Sequence, residues 1–236
     1  MNAPRDPSDL HRPVDDAIRS RRSIRRFLPD PVPREAVEEI LEVARWAPSG
    51  TNTQPWKVRA VAGEPLQELS RRLTSAFDDP QAAQKYVDEY AYYPTQWVSP
   101  YIDRRRKVGW DLYGLLGITK GDTARTHAQH GRNYRFFDAP VGLIFTIDRV
   151  MRQGSWLDYG MFLQSIMVAA RARGLDTCPQ AAFTPFHRVI GEFLDFAPEE
   201  MLVCGMALGW ADPDAVENTL RTERESVTAF TRFAGF

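Results

Sequence analysis

Four arginines fall within seven residues, Arg21-Arg22-Ser23-Ile24-Arg25-Arg26-Phe27, in a chain whose formal net charge is −1. A guanidinium is a planar fork of N–H donors that stays charged, so such a cluster, with the Ser23 hydroxyl inside it, has the chemistry of an anion clamp. It also has the composition of a solvated helix end, or of an arm that follows a nucleic-acid backbone. The nucleic-acid reading needs a basic surface. Here Asp30, Glu35, Glu38 and Glu39 follow at once, and 30 Lys and Arg stand against 31 Asp and Glu. The common glycine-rich phosphate cradles are missing, since no Gly-x-Gly-x-x-Gly follows a strand and no Gly-Lys-Ser/Thr occurs.

Three further stretches carry chemistry. Residues 47–56, APSGTNTQPW, form an uncharged turn rich in hydroxyl and amide groups; CPQAAF, residues 178–183, continues a short extended piece, LDTCPQAA; residues 220–224, LRTER, bring two late arginines. Cys178 and Cys204 belong to no CxxC pair and sit among apolar residues, which reads as buried core thiols. His127 and His130 have the spacing of one helix face but no third ligand at metal-binding distance, so no metal is assigned. No Ser-His-Asp, Cys-His or paired-carboxylate constellation is visible, and no catalytic side chain is assigned.

The elements that must position these groups follow from periodicity. In VPREAVEEILEVARWAP the apolar residues Val37, Ile40, Leu41 and Ala44 mark a helix, with Pro33 at its start and Pro48 as its stop. WKVRAVAG reads as a strand, and Leu66, Leu69 and Leu73 mark a second helix. From about 81 to 119 the pattern loosens into a Tyr- and Pro-rich excursion, whose second half regains helical spacing at Ile102, Arg105, Val108, Leu112 and Leu115. APVGLIFTID and EEMLVCGMALGW are continuous apolar runs that suit strands buried on both faces. Between them lie a helix from Ser155 to Gly174, with Ser155 and Asp158 at capping-box spacing, and a helix over TPFHRVIGEFL capped by Thr184. The 155–174 helix is apolar around most of its circumference, as expected of an element in a core or a subunit interface. The tail places Phe230, Phe233 and Phe236 three residues apart, which suggests docking on a partner.

A chain of 236 residues with 43% hydrophobic and 26% charged residues, few separated strands and no repeat reads as one α+β domain over 1–236. No apolar run approaches the roughly 20 residues of a membrane span. The opening MNAPRDPSDLHRP has charges and prolines where a leader would have an apolar core, so a cytoplasmic address is expected.

In the order RRSIRRF, APSGTNTQPW, CPQAAF and GWADPDAVENTLRTER, the chain resembles the FMN-dependent nitroreductase family from about Pro13 to Arg224. The resemblance implies a three-layer α-β-α sandwich with a central mixed, mainly antiparallel sheet, a dimer-swapped C-terminal extension at about 211–236 and a homodimer with the FMN sites at the subunit interface. It implies that Arg21, Arg22, Ser23 and Arg25 hold the phosphate end and polar edge of FMN, joined by Arg224. Pro48, Ser49, Gly50, Asn52 and Gln54 would approach the same flavin from the other subunit. Pro179, Gln180, Ala181 and Ala182 would line the flavin ring, and Asn133 would contact it.

The implied reaction is ping-pong. NAD(P)H reduces the flavin and a small aromatic acceptor, such as a nitroaromatic, reoxidises it. Quinones, activated alkenes and halogenated aromatics are alternative acceptors on the same fold, and a flavin-binding or sensing protein without turnover is the alternative of another class. The excursion at about 92–118 is expected to act as a lid over the acceptor, with Trp110 and Tyr113 as contacts. Arg104, Arg105 and Arg106 read either as a solvated face or as recognition of an acidic substrate such as a nitrobenzoate.

Overall fold

A computed structural model describes the chain from Pro7 onward, and side chains from Arg12 onward. Met1–Asp6, where the opening stretch argued against a leader, lie outside the described residues. Among the described residues no helix is long and apolar enough to cross a membrane.

Four strands form one sheet: β1 (Lys57–Ala62), β2 (Val141–Asp148), β3 (Asp176–Gln180) and β4 (Glu200–Gly209), in the order β1-β2-β4-β3 with every neighbouring pair antiparallel. The two apolar runs are the central strands, as their composition demands. Every residue of β2 is buried except Asp148. The free edge of β3 is not left open. The arginine segment lies along it through a parallel bridge between Ser23 and Thr177 and an Ile24 N–H to Thr177 carbonyl bond of 3.1 Å, which makes the sheet mixed and covers an edge prone to pairing with other chains.

Helices cover both faces. On one side α2 (Arg34–Ala44) buries Val37, Ile40 and Ala44 with Tyr159, Phe162 and Ile166 of α7 (Gln153–Arg171) against Leu143, Phe145 and Ile147. On the other, α3 (Gly63–Phe77) buries Leu66, Leu69 and Leu73, and α8 (His187–Phe193) buries Ile190, against Ile144, Phe136 and Phe183. Successive residues of β2 thus feed opposite layers, the alternation that a pleated strand imposes. Gly142 and Gly205 matter here because a Cβ at either would collide with the ring of Phe136 or Phe183. The three-layer sandwich is therefore as expected.

The excursion contains α4 (Ala82–Lys85) and α5 (Tyr101–Leu115), and α6 (Thr123–Gly131) follows it. On α6, His127 and His130 share a face by stacking on Phe77, at 4.2 and 5.4 Å between ring centroids. The chain ends with a 3₁₀ turn at Val216–Thr219 and the short helix α9 (Val227–Phe230).

Two local readings are corrected. α7 begins at Gln153, so Ser155 lies inside it, and Asp158 accepts the Gly50 N–H at 3.1 Å instead of closing a capping box. Thr184 does not cap a helix either. It sits in a 3₁₀ turn over Ala181–Phe186, where its hydroxyl donates to Asp88 and the Ala181 carbonyl, and α8 starts at His187. Both cysteines are buried, which pushes the thiol pKa of Cys178 up to about 11 and that of Cys204 to about 12. They are inert core groups, as expected.

Candidate functional site

The arginine segment is positioned by backbone bonds at both of its ends. Ile24 and Phe27 are buried, Leu28 N–H donates to the Trp210 carbonyl at 2.8 Å, and Asp212 N–H donates to the Arg26 carbonyl at 3.1 Å. Asn218, a buried residue that the sequence reading passed over, completes the splint. Its Oδ1 accepts the Arg25 N–H at 2.8 Å and its Nδ2 donates to the carbonyls of Arg26 and Asp212 at 2.8 and 3.0 Å. The only cue for it was its place between Gly209 and Arg224, in a stretch singled out for its arginines.

Little anionic charge meets these guanidiniums. Burial lowers the pKa of Arg21 and the neighbouring Arg224 lowers it further. Arg22 is lowered first by burial and then by Arg221, against partial relief from Asp176. Among the described residues Arg21 Nε is buried with no partner, and its Nη1 makes only a 3.9 Å contact with the Met167 sulfur. Arg22 Nε donates to the Asn218 carbonyl at 3.1 Å and Arg25 Nη1 to the Ser23 carbonyl at 3.3 Å. Arg224 uses one nitrogen on Thr222 and Glu223 of its own turn. A positive cluster that repels itself and keeps a buried donor unpaired is suited to an anion.

Ser23 pairs with Thr177 of β3, and two residues beyond Thr177 the chain enters Pro179–Ala182. This segment lines a cavity of about 950 Å³ together with Arg25, Asn133, Tyr92, Tyr93 and Tyr113. Pro179–Ala181 also line a second cavity of about 1090 Å³, with Tyr90, Trp156 and Leu163 on its walls. Gln180 is the polar centre. It is 3% exposed, its Nε2 donates to the Asn133 carbonyl at 2.9 Å and to Asn133 Oδ1 at 3.2 Å, and its Oε1 is buried without a donor. An orphaned buried acceptor costs roughly 1–3 kcal/mol until something donates to it. An N–H donor on the cavity side would answer Gln180 Oε1, and an anion at the arginine cluster would answer Arg21 Nε.

Asn133 is followed by Phe136, Phe137 and Asp138, all at positive φ (51°, 54° and 66°). Such backbone is costly for residues other than glycine and is held here by the burial of both phenylalanines and by ion pairs from Arg26 and Arg132 to Asp138 at 2.8 and 3.1 Å. The APSGTNTQPW turn shows the same signature, with Thr51, Asn52 and Gln54 at φ of 50°, 60° and 47°. Ser49 Oγ accepts the Gln54 N–H at 3.0 Å, and Asp158 holds Gly50. Within one chain none of Pro48, Ser49, Gly50, Asn52 or Gln54 lines either cavity.

A model of the Nitroreductase family matches residues 18–210, which contain the first two motifs and the Pro179–Ala182 segment. The chain belongs to the Nitroreductase family. It is 47% identical over 222 residues to a 4-nitrobenzoate reductase of Pseudomonas putida, covering 94% of this chain and 96% of that one. It is 40% identical over 220 residues to a nitrobenzene nitroreductase of Ectopseudomonas oleovorans, with 93% and 96% covered. Among solved structures, the FMN- and NADPH-dependent nitroreductase NfnB of Sphigopyxis sp. strain HMH superposes with a TM-score of 0.91 at 34% identity, covering 94% of this chain and 99% of that one.

Of the two residues expected on the lid, this nitroreductase brings one to the cavity. Tyr113 lines it, whereas Trp110 is 70% exposed and is not on that wall within one chain. Five residues separate Trp110 from Arg105, about 140° around the helix, which puts the two on different faces. Two members of the arginine run have partners on the chain. Arg104 pairs with Glu225 at 2.6 Å, and Arg105 lies over the rings of Tyr93 and Trp97.

Proposed function

We infer that the protein is an FMN-dependent, NAD(P)H-driven reductase of nitroaromatic acceptors. The observation that carries the reading is a self-repelling arginine cluster with an unpaired donor, Arg21 Nε, laid along the strand whose continuation carries an unpaired acceptor, Gln180 Oε1, at the cavity wall. Bound FMN supplies the hydride chemistry, taking reducing equivalents from NAD(P)H and passing them to the acceptor. The chain's own residues bind and orient. Arg21, Arg22, Ser23, Arg25 and Arg224 hold the phosphate, with guanidinium forks in place of a glycine-rich loop. Pro179, Ala181 and Ala182 give the ring a flat wall, Asn133 sets the orientation of Gln180, and Gln180 receives an N–H from the ring edge. No side chain is required to take a proton from NAD(P)H, because the group transferred is a hydride.

The working unit in this reading is a homodimer. Its support is the exposure of Leu157 (74%) and Met161 (40%), one turn apart on α7, and of Phe230, Phe233 and Phe236 in the tail, apolar side chains that a second subunit would cover. A second subunit also gives Pro48, Ser49, Gly50, Asn52 and Gln54 a flavin to approach. The C-terminal arm is then shorter than 211–236, because Glu217 and Asn218 are buried on their own chain and the exposed stretch begins beyond Leu220. We place the enzyme in the cytoplasm. The relatives that reduce 4-nitrobenzoate and nitrobenzene make small monocyclic nitroaromatics the acceptors of choice.

The test is anaerobic. Purified protein loaded with FMN is expected to bleach on addition of NADPH and to recover its absorbance on addition of 4-nitrobenzoate. Bleaching without recovery by any nitroaromatic would favour another acceptor class, and flavin that never bleaches would leave a binding protein.

A further inference from the structure

Helix α5 has no buried residue, yet both of its sides are tied down. On one side Arg104 pairs with Glu225 at 2.6 Å and Lys107 with Glu223 at 3.6 Å, so the helix is fixed to the stretch that carries Arg224. On the other, residues 105, 108, 109 and 112 share a face, because seven residues are close to two full turns. At the far end of that face Leu112 and its neighbour Tyr113 wall the cavity of about 950 Å³. At the near end the Arg105 guanidinium lies 5.3 Å from the centroid of Tyr93 and 4.9 Å from that of Trp97.

Tyr93 and Trp97 are themselves 5.4 Å apart, and Tyr92 meets Tyr93 edge-on at 4.7 Å. Tyr92 and Tyr93 line the same cavity as Pro179–Ala182 although each is more than half exposed. Exposed aromatic side chains on an irregular strap are held weakly by packing alone. A cation over two ring faces supplies a directional restraint that solvent does not.

We propose that Arg105 is a positioning residue for the aromatic acceptor, clamping Tyr93 and Trp97 so that the 90–97 strap stays closed as the cavity wall. The guanidinium acts through the rings and does not touch the acceptor. This rests on the reductase reading above. It also assigns the arginine run a role different from recognition of a substrate carboxylate, and the two roles separate in steady-state kinetics.

The experiment compares nitrobenzene with 4-nitrobenzoate on the FMN-loaded enzyme and its Arg105→Ala, Arg105→Lys and Trp97→Ala variants, after flavin content and anaerobic bleaching by NADPH have been recorded for each. Arg105→Ala is expected to raise KM for both acceptors by the same factor, about tenfold, with kcat changed by less than about twofold. Arg105→Lys restores most of the loss, because it keeps a cation over the rings. Adding Trp97→Ala to Arg105→Ala costs almost nothing more, as two halves of one clamp require.

A rise confined to 4-nitrobenzoate would overturn the proposal in favour of direct carboxylate binding. Unchanged KM for both acceptors in a variant that bleaches normally would overturn the proposal alone. A wild-type protein without a reducible flavin would overturn the reductase reading, and the proposal with it.

Discussion

Two clusters of arginine chemistry sit at different places on the same sheet, and they are built oppositely. Across β1, β2 and β4, Arg59 is saturated. Its Nη1 and Nη2 meet Glu200 at 2.7 and 3.0 Å, its Nε meets the Leu194 carbonyl at 3.0 Å, and its guanidinium lies 4.5 Å from the ring of Phe196. Thr146 donates to the same carboxylate at 2.6 Å, and the Tyr159 hydroxyl lies 2.9 Å from the Thr146 carbonyl. Hydrogen bonds from Arg59, and then from Thr146, hold the Glu200 carboxyl down at about 2 against the opposing effect of burial. At the β3 edge, Arg21 and Arg22 are flanked by Arg224 and Arg221, and a buried nitrogen has no partner. A saturated network serves the fold. A self-repelling, unsaturated one costs stability until an anion arrives, which is the sign of a binding site.

The contrast breaks first at Arg59. Arg59→Met strands a carboxylate that is 8% exposed, and the expected loss is about 3 kcal/mol, the low end for a broken buried pair because 25% of the Arg59 side chain is exposed. Urea unfolding measures it. The same pair sets an acid limit. Because the folded-state pKa of Glu200 lies below its ordinary 4.5, the stability it contributes is present above that value and is lost as pH falls toward about 2. Unfolding midpoints taken across that window should fall in the wild type more steeply than in Glu200→Gln.

At the other cluster the effect should appear in binding and not in folding. Arg21→Ala is expected to weaken FMN by roughly ten- to a hundredfold, the loss of one charge-assisted contact. The unliganded protein should keep its stability or gain some, since a like charge beside Arg224 is removed. Equal losses of stability and of binding would erase the distinction between the two clusters. The smallest effect is expected at Asp158→Ala, which frees the Gly50 N–H and should cost about 1 kcal/mol, read as a lower unfolding midpoint.

The sequence revealed what periodicity and local motifs encode. Val37, Ile40 and Ala44, or Leu66, Leu69 and Leu73, mark one face of a helix without reference to anything distant, and both stripes are buried. The arginine cluster was legible because four like charges in seven positions are unusual in a neutral chain. Arg59 and Glu200 were not, since 141 residues separate two ordinary charged side chains. Asp158 misled because its spacing from Ser155 matched a local cap while its partner, Gly50, lies 108 residues away. The place of Trp110 was not legible for a related reason: whether an aromatic residue on a helix meets a cavity depends on neighbours that the helix alone does not specify.

The account's central claim is that the arginine cluster is a phosphate clamp. The measurement that tests it most directly is the affinity of the flavin-free protein for FMN against riboflavin, which differ in the phosphate. With two or more charge-assisted hydrogen bonds to that group, FMN is predicted to bind at least about a hundredfold more tightly. Equal affinities would contradict the account.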